Sequence, residues 1–394
     1  MPFEPHIHPV YAAMERTVFD RMSALAREHG AINLGQGFPD GPAPQPLLDA
    51  AARALHEKSS QYPPGPGLPE LRAAIGAYYA RRQGLAVAAE DVTVTSGATE
   101  AIAAALLALV RPGDEVIVFQ PAYDAYAPMI ARAGGVAVSV ALAPPAFRYT
   151  AEALAAAIGP RTRALILNDP LNPAGTVASA AELEMIAEVC IAHDLVAICD
   201  EVWEDVRFDG VAHRSLMDLP GMAARAVKIG SAGKIFGLTG WKIGWMIAQG
   251  AIGTALARAH QFLTFTSAVP LQWAVAEGLG LPDTGPGAVL ADQRAAWAAG
   301  RARLKAGLER AGFVVLPNAA TWFLCIDLAA SGIALDDRTF AERAVVEAGV
   351  ASVPVSALYA GEGAPVQIVR LCFTKPDAVL DEAVARLARW RLQL

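Results

Sequence analysis

Apolar and polar positions along this chain follow two layouts, one through the middle and another after about residue 310. In the middle, short and nearly continuous apolar runs alternate with longer stretches of helical spacing. The runs at Asp91–Thr95, Glu115–Phe119, Val136–Ala141, Arg163–Asn168, Leu195–Asp200 and Ala226–Gly230 predict strands. Between them, about Thr99–Val110, Tyr123–Ala133 and Ala180–His193 predict helices. That alternation specifies a mostly parallel sheet covered by helices on both faces, with ligands at the carboxyl ends of the strands.

Upstream, Phe19, Met22 and Leu25 give Thr17–Glu28 a helical face. Ile32-Asn-Leu-Gly-Gln-Gly-Phe-Pro-Asp40 then breaks the helix, and Gly35 and Gly37 predict a pocket-lining loop of bare amides. It is not a dinucleotide fingerprint, because Asp40 takes the third glycine position and no helix can start at the prolines that follow. Gln61-Tyr-Pro-Pro-Gly-Pro-Gly67 is a second rigid loop, presenting Tyr62 either for packing or to a ligand. Trp273–Leu281 and Asp292–Glu309 read as helices, the second long enough to join domains. The later layout is short strands at Phe313–Leu316, Trp322–Asp327, Val350–Val353 and Val366–Phe373, with helices at Arg338–Glu347 and from Pro376 to the end. The division expected is residues 1–40 as an N-terminal arm and part of a small domain, 41–285 as a large domain, and 286–394 as a smaller α+β domain.

With 394 residues, 54% hydrophobic and 18% charged, the chain can bury a large core. A net charge of −7 and no basic cluster argue against a nucleic-acid partner. The longest apolar run, Ala101–Val110, is too short to cross a bilayer, and the start lacks the pattern of a signal peptide, so a cytoplasmic protein is expected. Cys190, Cys199, Cys325 and Cys372 lie far apart and read as buried free thiols, and no His-Glu-x-x-His appears, so no metal site is expected.

The candidate chemistry centres on Ser231-Ala-Gly-Lys-Ile-Phe-Gly-Leu-Thr-Gly-Trp-Lys-Ile-Gly-Trp245. Lys234 follows a predicted strand and precedes Gly237 and Gly240, which predicts a tight bend among apolar neighbours. Partial desolvation there lowers an amine's pKa and makes it able to form a Schiff base with an aldehyde. A lone loop lysine would carry no such meaning. A Walker loop is excluded by Lys228 at its first glycine position and by Ile235 where a Ser or Thr would hold magnesium. Ser96-Gly-Ala-Thr-Glu100 joins a strand to a helix N-terminus and offers free amides to an anion such as phosphate. Asp200 closes another strand.

Taken together, Lys234, Asp200, Asn168-Asp-Pro-Leu-Asn-Pro-Ala-Gly175, Ser96-Gly-Ala-Thr and Arg370 resemble the class I/II aminotransferases of the aspartate aminotransferase fold. The resemblance spans nearly the whole chain. Leu34-Gly-Gln-Gly-Phe-Pro-Asp40 and Thr239-Gly-Trp-Lys-Ile-Gly-Trp245 are most similar to the branch of kynurenine/glutamine transaminases and methionine aminotransferases.

The resemblance implies an α/β enzyme of the pyridoxal-phosphate fold type I, with a large domain holding a mostly parallel sheet between helices and a smaller α+β domain. It implies pyridoxal 5′-phosphate as cofactor, held by Lys234, with Asp200 on the pyridine nitrogen. Asn172 would bond the ring's phenolic oxygen, and Tyr123 would stack on the ring. Gly97, Ala98, Ser231 and Lys242 would hold the phosphate, and Tyr62 would reach it from the partner subunit of a homodimer. Arg370, with Gly37 and Asn172 nearby, would grip the substrate carboxylate, and Phe19 would wall the pocket.

The family usually has tyrosine where Trp203 stands. Its indole N–H either donates to the phenolic oxygen or faces the core, and the first is expected. The implied reaction moves an amino group between a neutral, fairly apolar L-amino acid and a 2-oxo acid. No second arginine for a dicarboxylate side chain is evident. A carbon–sulfur β-lyase on the same scaffold is the alternative, and a ligand-sensing regulator is disfavoured by the lack of a DNA-binding segment before residue 30 or after residue 376.

Overall fold

The computed structural model describes residues 6–285, 287–361 and 363–394. The first five residues of the predicted arm and the first residue of the predicted C-terminal domain lie outside them. Among the described residues the strands are β1 (Ile32–Asn33), β2 (Val92–Thr95), β3 (Glu115–Gln120), β4 (Val136–Ala141), β5 (Thr162–Asn168), β6 (Val196–Asp200) and β7 (Ala226–Ser231). They continue with β8 (Gly244–Ile247), β9 (Val314–Val315), β10 (Phe323–Asp327), β11 (Val350–Ala351), β12 (Val353–Pro354) and β13 (Ile368–Cys372).

The large sheet has the order β2-β8-β7-β6-β5-β3-β4. It is parallel except for β8, which runs antiparallel to both β2 and β7. Successive side chains point to opposite faces of a strand. Leu165 and Leu167 of β5 therefore join one core, while Ala164 and Ile166 join the other. Burial on both faces is why these strands read as unbroken apolar runs. The helices Ala98–Leu109 and Ala180–Ala192 follow β2 and β5, the second opening with a reciprocal capping box between Ser179 and Glu182.

The later layout is a four-stranded antiparallel sheet of order β12-β13-β10-β9, flanked by helices Val289–Arg310, Asp337–Arg343 and Asp377–Arg391. Two expectations are corrected. Ile32–Asn33 is not loop but a short strand, parallel to β11, and at two residues it is too brief to show a period. The predicted strand Val350–Val353 is split, its first half pairing with β1 and its second with β13. Gly244–Ile247, for which no element was predicted, is the buried antiparallel strand β8.

Beneath the sheet's carboxyl edge lies a charged cluster that the sequence analysis did not assemble. Lys228 is fully buried and donates to Glu201 and, at 2.6 Å, to Glu204. Tyr79 donates to Glu204 at 2.6 Å and accepts from the Trp245 indole at 2.9 Å. Glu201, Glu204 and His213 are close enough to share a metal ion. The ammonium of Lys228 already occupies their midst as the counter-charge, without which two buried carboxylates would be strongly destabilising. The cluster clamps both ends of the turn 201–204, and that turn carries Val202 and Trp203.

Candidate active site

The carboxyl ends of β5, β6 and β7 and the turn after β2 open onto one cavity of about 170 Å³. Of the predicted residues, Gly97, Ala98, Tyr123, Asn172, Asp200, Trp203, Ser231, Lys234 and Lys242 line it together. Lys234 lies on a single helical turn, Ala232–Ile235, rather than on an open bend. Its ammonium is 4.9 Å from the Trp203 ring centre and 5.2 Å from that of Trp322. Burial brings its pKa down to about 8; Asp200 opposes the shift, while Arg370 and Lys242 reinforce it.

Asp200 is buried, and burial raises its carboxyl above the ordinary range. Tyr126 donates to its Oδ2, while Oδ1 is buried and has no partner. Asn168, its register neighbour on β5, donates to the Asp200 carbonyl at 2.9 Å and accepts the Asn172 amide at 2.9 Å. Tyr126 and Asn168 therefore position the predicted pair. Asn168 stood inside the quoted turn motif, whereas Tyr126 gave no signal beyond lying three residues after Tyr123.

At the other end, Gly97 caps the helix Ala98–Leu109 without a side-chain bond, leaving first-turn amides free. The Gly97 amide itself is spent on the Thr95 carbonyl at 2.8 Å, so it is not available to an anion as expected. What Gly97 supplies is space: a Cβ there would meet the Lys242 ammonium at 3.0 Å, and its φ is +79°. Gly244 acts likewise, because a Cβ on it would strike backbone atoms of Gly97 and Ala98 at 2.7 and 2.8 Å.

Arg370 lies beside this cavity rather than in its lining. It is 2% exposed on β13, and burial lowers its pKa to about 10. Nη1 donates to Asn172 Oδ1 at 3.1 Å and Nη2 to the Gly35 carbonyl at 2.7 Å, while Nε has no partner. Phe323 covers the guanidinium at 3.9 Å and Phe19 at 5.0 Å. Gly37 packs on the same Phe323, where a Cβ would come within 2.6 Å of the ring. Trp203 is 3% exposed, stacks edge-on with Trp322 and Phe323, and also lines the cavity. Tyr62 stands apart, 81% exposed and packed edge-on against Phe265 at 5.4 Å.

The residues fit a phosphorylated pyridine aldehyde. Lys234 offers an amine whose pKa burial brings down to about 8, and Asp200 Oδ1 is an orphaned acceptor able to take a ring N–H. Free amides, Ser231 and Lys242 converge where a phosphate would need them. A site so equipped defines an enzyme built around a lysine-bound aldehyde cofactor.

The family model for class I and II aminotransferases matches residues 29–387. A probable N-succinyldiaminopimelate aminotransferase of Mycobacterium tuberculosis is 46% identical over 384 residues, covering 94% of this chain and 95% of that one. The methionine aminotransferase of Escherichia coli is 39% identical over 380 residues, covering 94% and 95%. The solved structure of N-succinyldiaminopimelate aminotransferase from M. tuberculosis superposes with a TM-score of 0.91 at 45% identity, covering 97% of this chain and 99% of that one. The chain belongs to the class I and II aminotransferases and is a pyridoxal-phosphate-dependent transaminase.

Proposed function

We propose that the enzyme moves the amino group of an L-amino acid with a neutral, fairly apolar side chain, of the methionine, aromatic, glutamine or kynurenine type, to a 2-oxo acid. The observation that carries this reading is the aromatic setting of Arg370, whose guanidinium lies between Phe323 and Phe19. A carboxylate held there by the free Nε would leave its side chain against aromatic faces.

Bound pyridoxal phosphate supplies an electron sink for the charge left at Cα when its proton departs. The protein's share is positioning and proton handling. Lys234 would hold the aldehyde and then move a proton at the substrate Cα, a step worth roughly 10²–10⁴-fold. With a pKa near 8 its amine is partly neutral at physiological pH. Asp200 Oδ1 would accept the pyridine N–H, with Tyr126 fixing the other oxygen. Because Arg370 donates to Asn172 Oδ1, the Asn172 side-chain NH₂ would be left to donate to the ring oxygen. Tyr123 would cover the ring, and Trp203 would donate from its indole. The Ala98 amide, Ser231 and Lys242 would take the phosphate.

The test mixes purified holoenzyme with a panel of amino acids and follows conversion of the cofactor to its amine form together with 2-oxo acid release. Pyruvate and ammonia with unconverted cofactor would establish β-elimination instead. Failure on all neutral donors would overturn the reading.

A homodimer is proposed on two exposed aromatic side chains, Tyr62, which packs edge-on against Phe265, and Phe262, which is 86% exposed; sedimentation at micromolar concentration measures it. The division into domains is proposed likewise, supported by the small antiparallel sheet lying within 286–394, and proteolysis confined to the segment near residue 286 would test it. Among the described residues no helix is long and apolar enough to cross a membrane. Four buried thiols and a net charge of −7 support the cytoplasm, which cell fractionation checks.

A further inference from the structure

Behind the turn after β2, one histidine touches two segments whose parts in the site are otherwise separate. His260, near the end of the helix Gly250–Gln261, is fully buried. Its Nδ1 lies 2.6 Å from Glu100 Oε1 and its Nε2 3.1 Å from the Gly65 carbonyl oxygen. Glu100 belongs to the first turn of the helix Ala98–Leu109. Its Oε2 accepts the Ser96 amide, and its Oε1 also accepts the Thr264 hydroxyl at 2.8 Å. Burial pushes the Glu100 carboxyl up, but the bonds from His260, Ser96 and Thr264 outweigh it and hold the carboxyl below its usual range. Both its oxygens are therefore acceptors, as is the Gly65 carbonyl. With an acceptor at each ring nitrogen, His260 makes both bonds only when both nitrogens carry a proton.

The loop at the other end has few handles. Pro63, Pro64 and Pro66 lack an N–H, so the loop must be held mainly by its carbonyls. Among the described residues, the bond from His260 is the only hydrogen bond that joins residues 62–65 to another element. The next anchor, from the Val94 amide to the Pro66 carbonyl at 2.9 Å, reaches β2 instead. His260 thus stands between the loop that carries Tyr62 and the carboxylate that fixes the start of the phosphate turn. Glu100 and Gly65 precede it by 160 and 195 positions, so no local motif announces the link.

We propose that His260 is a positioning residue that couples the phosphate turn 96–100 to the loop 61–67, so that seating the cofactor phosphate and ordering the loop favour one another. Resting on the phosphate seat proposed above for the Ala98 amide, Ser231 and Lys242, the coupling is independent of which amino acid the enzyme accepts. It is also reciprocal: the factor by which a bound phosphate steadies the loop is the factor by which an ordered loop tightens the phosphate. A path through one pair of hydrogen bonds sets that factor at about three- to tenfold.

The experiment follows amide hydrogen exchange over residues 61–68 and 96–100 in protein saturated with pyridoxal or with pyridoxal 5′-phosphate. Pyridoxal lacks the phosphate, so the difference between the two isolates the phosphate's effect. Every chain carries Tyr62→Phe, which removes any direct bond from that tyrosine to a phosphate in a partner subunit. With His260 intact, the phosphate should slow exchange in the turn and, by about three- to tenfold, in the loop. His260→Asn keeps a donor near the Nδ1 position and cuts the Gly65 bond, whereas His260→Gln keeps one near Nε2 and cuts the Glu100 bond. In either variant the phosphate should still slow the turn but no longer the loop, and affinity for pyridoxal 5′-phosphate relative to pyridoxal should fall by about three- to tenfold. A merely structural histidine would loosen the loop equally with both ligands and leave their difference intact. Loop slowing retained in both variants would route the coupling through Pro66 and β2 and overturn the role of His260. With His260 intact, a loop indifferent to the phosphate beside a slowed turn would overturn the coupling itself, and a turn equally indifferent would remove the phosphate seat with it.

Discussion

Lys234 shows how one residue's surroundings set its chemistry. In the fold it releases its proton at about 8, below the 10.5 of an unperturbed lysine. Between those values the unfolded chain binds more protons than the folded one, so this group's contribution to stability rises with pH across the window and is least favourable below about pH 8. In cofactor-free protein an amine-reactive label should therefore enter Lys234 with a midpoint near pH 8; a midpoint near 10.5 would show that the amine is solvated. Borohydride should fix the cofactor to Lys234 in native holoprotein, and a mass label on another lysine would refute that role. For Asp200→Asn, cofactor should still bind, but kcat should fall by about 10²–10³-fold, the scale seen when a preorganised electrostatic group is removed. Near-native turnover would mean that another group protonates the ring.

At the scale of elements, the site depends on how tightly β8 lies against the turn after β2. A Cβ added at Gly244 would meet the Gly97–Ala98 backbone, where no side chain can yield by rotating away. Gly244→Ala should destabilise the protein by about 1–3 kcal/mol, as overpacking does, and should weaken cofactor binding by displacing the phosphate-side amides. Gly240→Ala is the control, since nothing lies within 4 Å of its added carbon. The measurements are urea midpoints and pyridoxal phosphate affinity, and equal behaviour of the two variants would reject the close-packing account. The turn 201–204 is held from behind by Lys228, so the placing of Trp203 is a property of four elements rather than of its own turn.

For the molecule as a whole, Tyr62 is the residue a single chain does not explain, a tyrosine 81% exposed on a proline- and glycine-rich loop. If it completes the partner's phosphate site, mixing Lys234→Ala chains with Tyr62→Phe chains yields dimers in which one site combines both defects and the other regains both residues. Activity should then exceed that of the Lys234→Ala parent and, per intact lysine, that of the Tyr62→Phe parent. Additive activity after confirmed subunit exchange would place Tyr62 outside the partner's site.

The alternation of apolar runs and helical stretches by itself determined the large layered sheet, because burial on both faces and helical periodicity are written locally in the residues. Short motifs also announced Lys234, Asp200, Asn172 and the Ser96–Thr99 turn, each at a strand end where the backbone turns outward. Pairing over long distances was not legible. Ile32–Asn33 became a strand only by meeting Val350–Ala351, and β8 only by lying between β2 and β7. Tyr126 reached Asp200, and Arg370 reached Asn172 Oδ1, through contacts between segments far apart in the chain. Such contacts leave no period or local signature, because what selects them is the packing of whole elements and the need of each buried polar group for a partner.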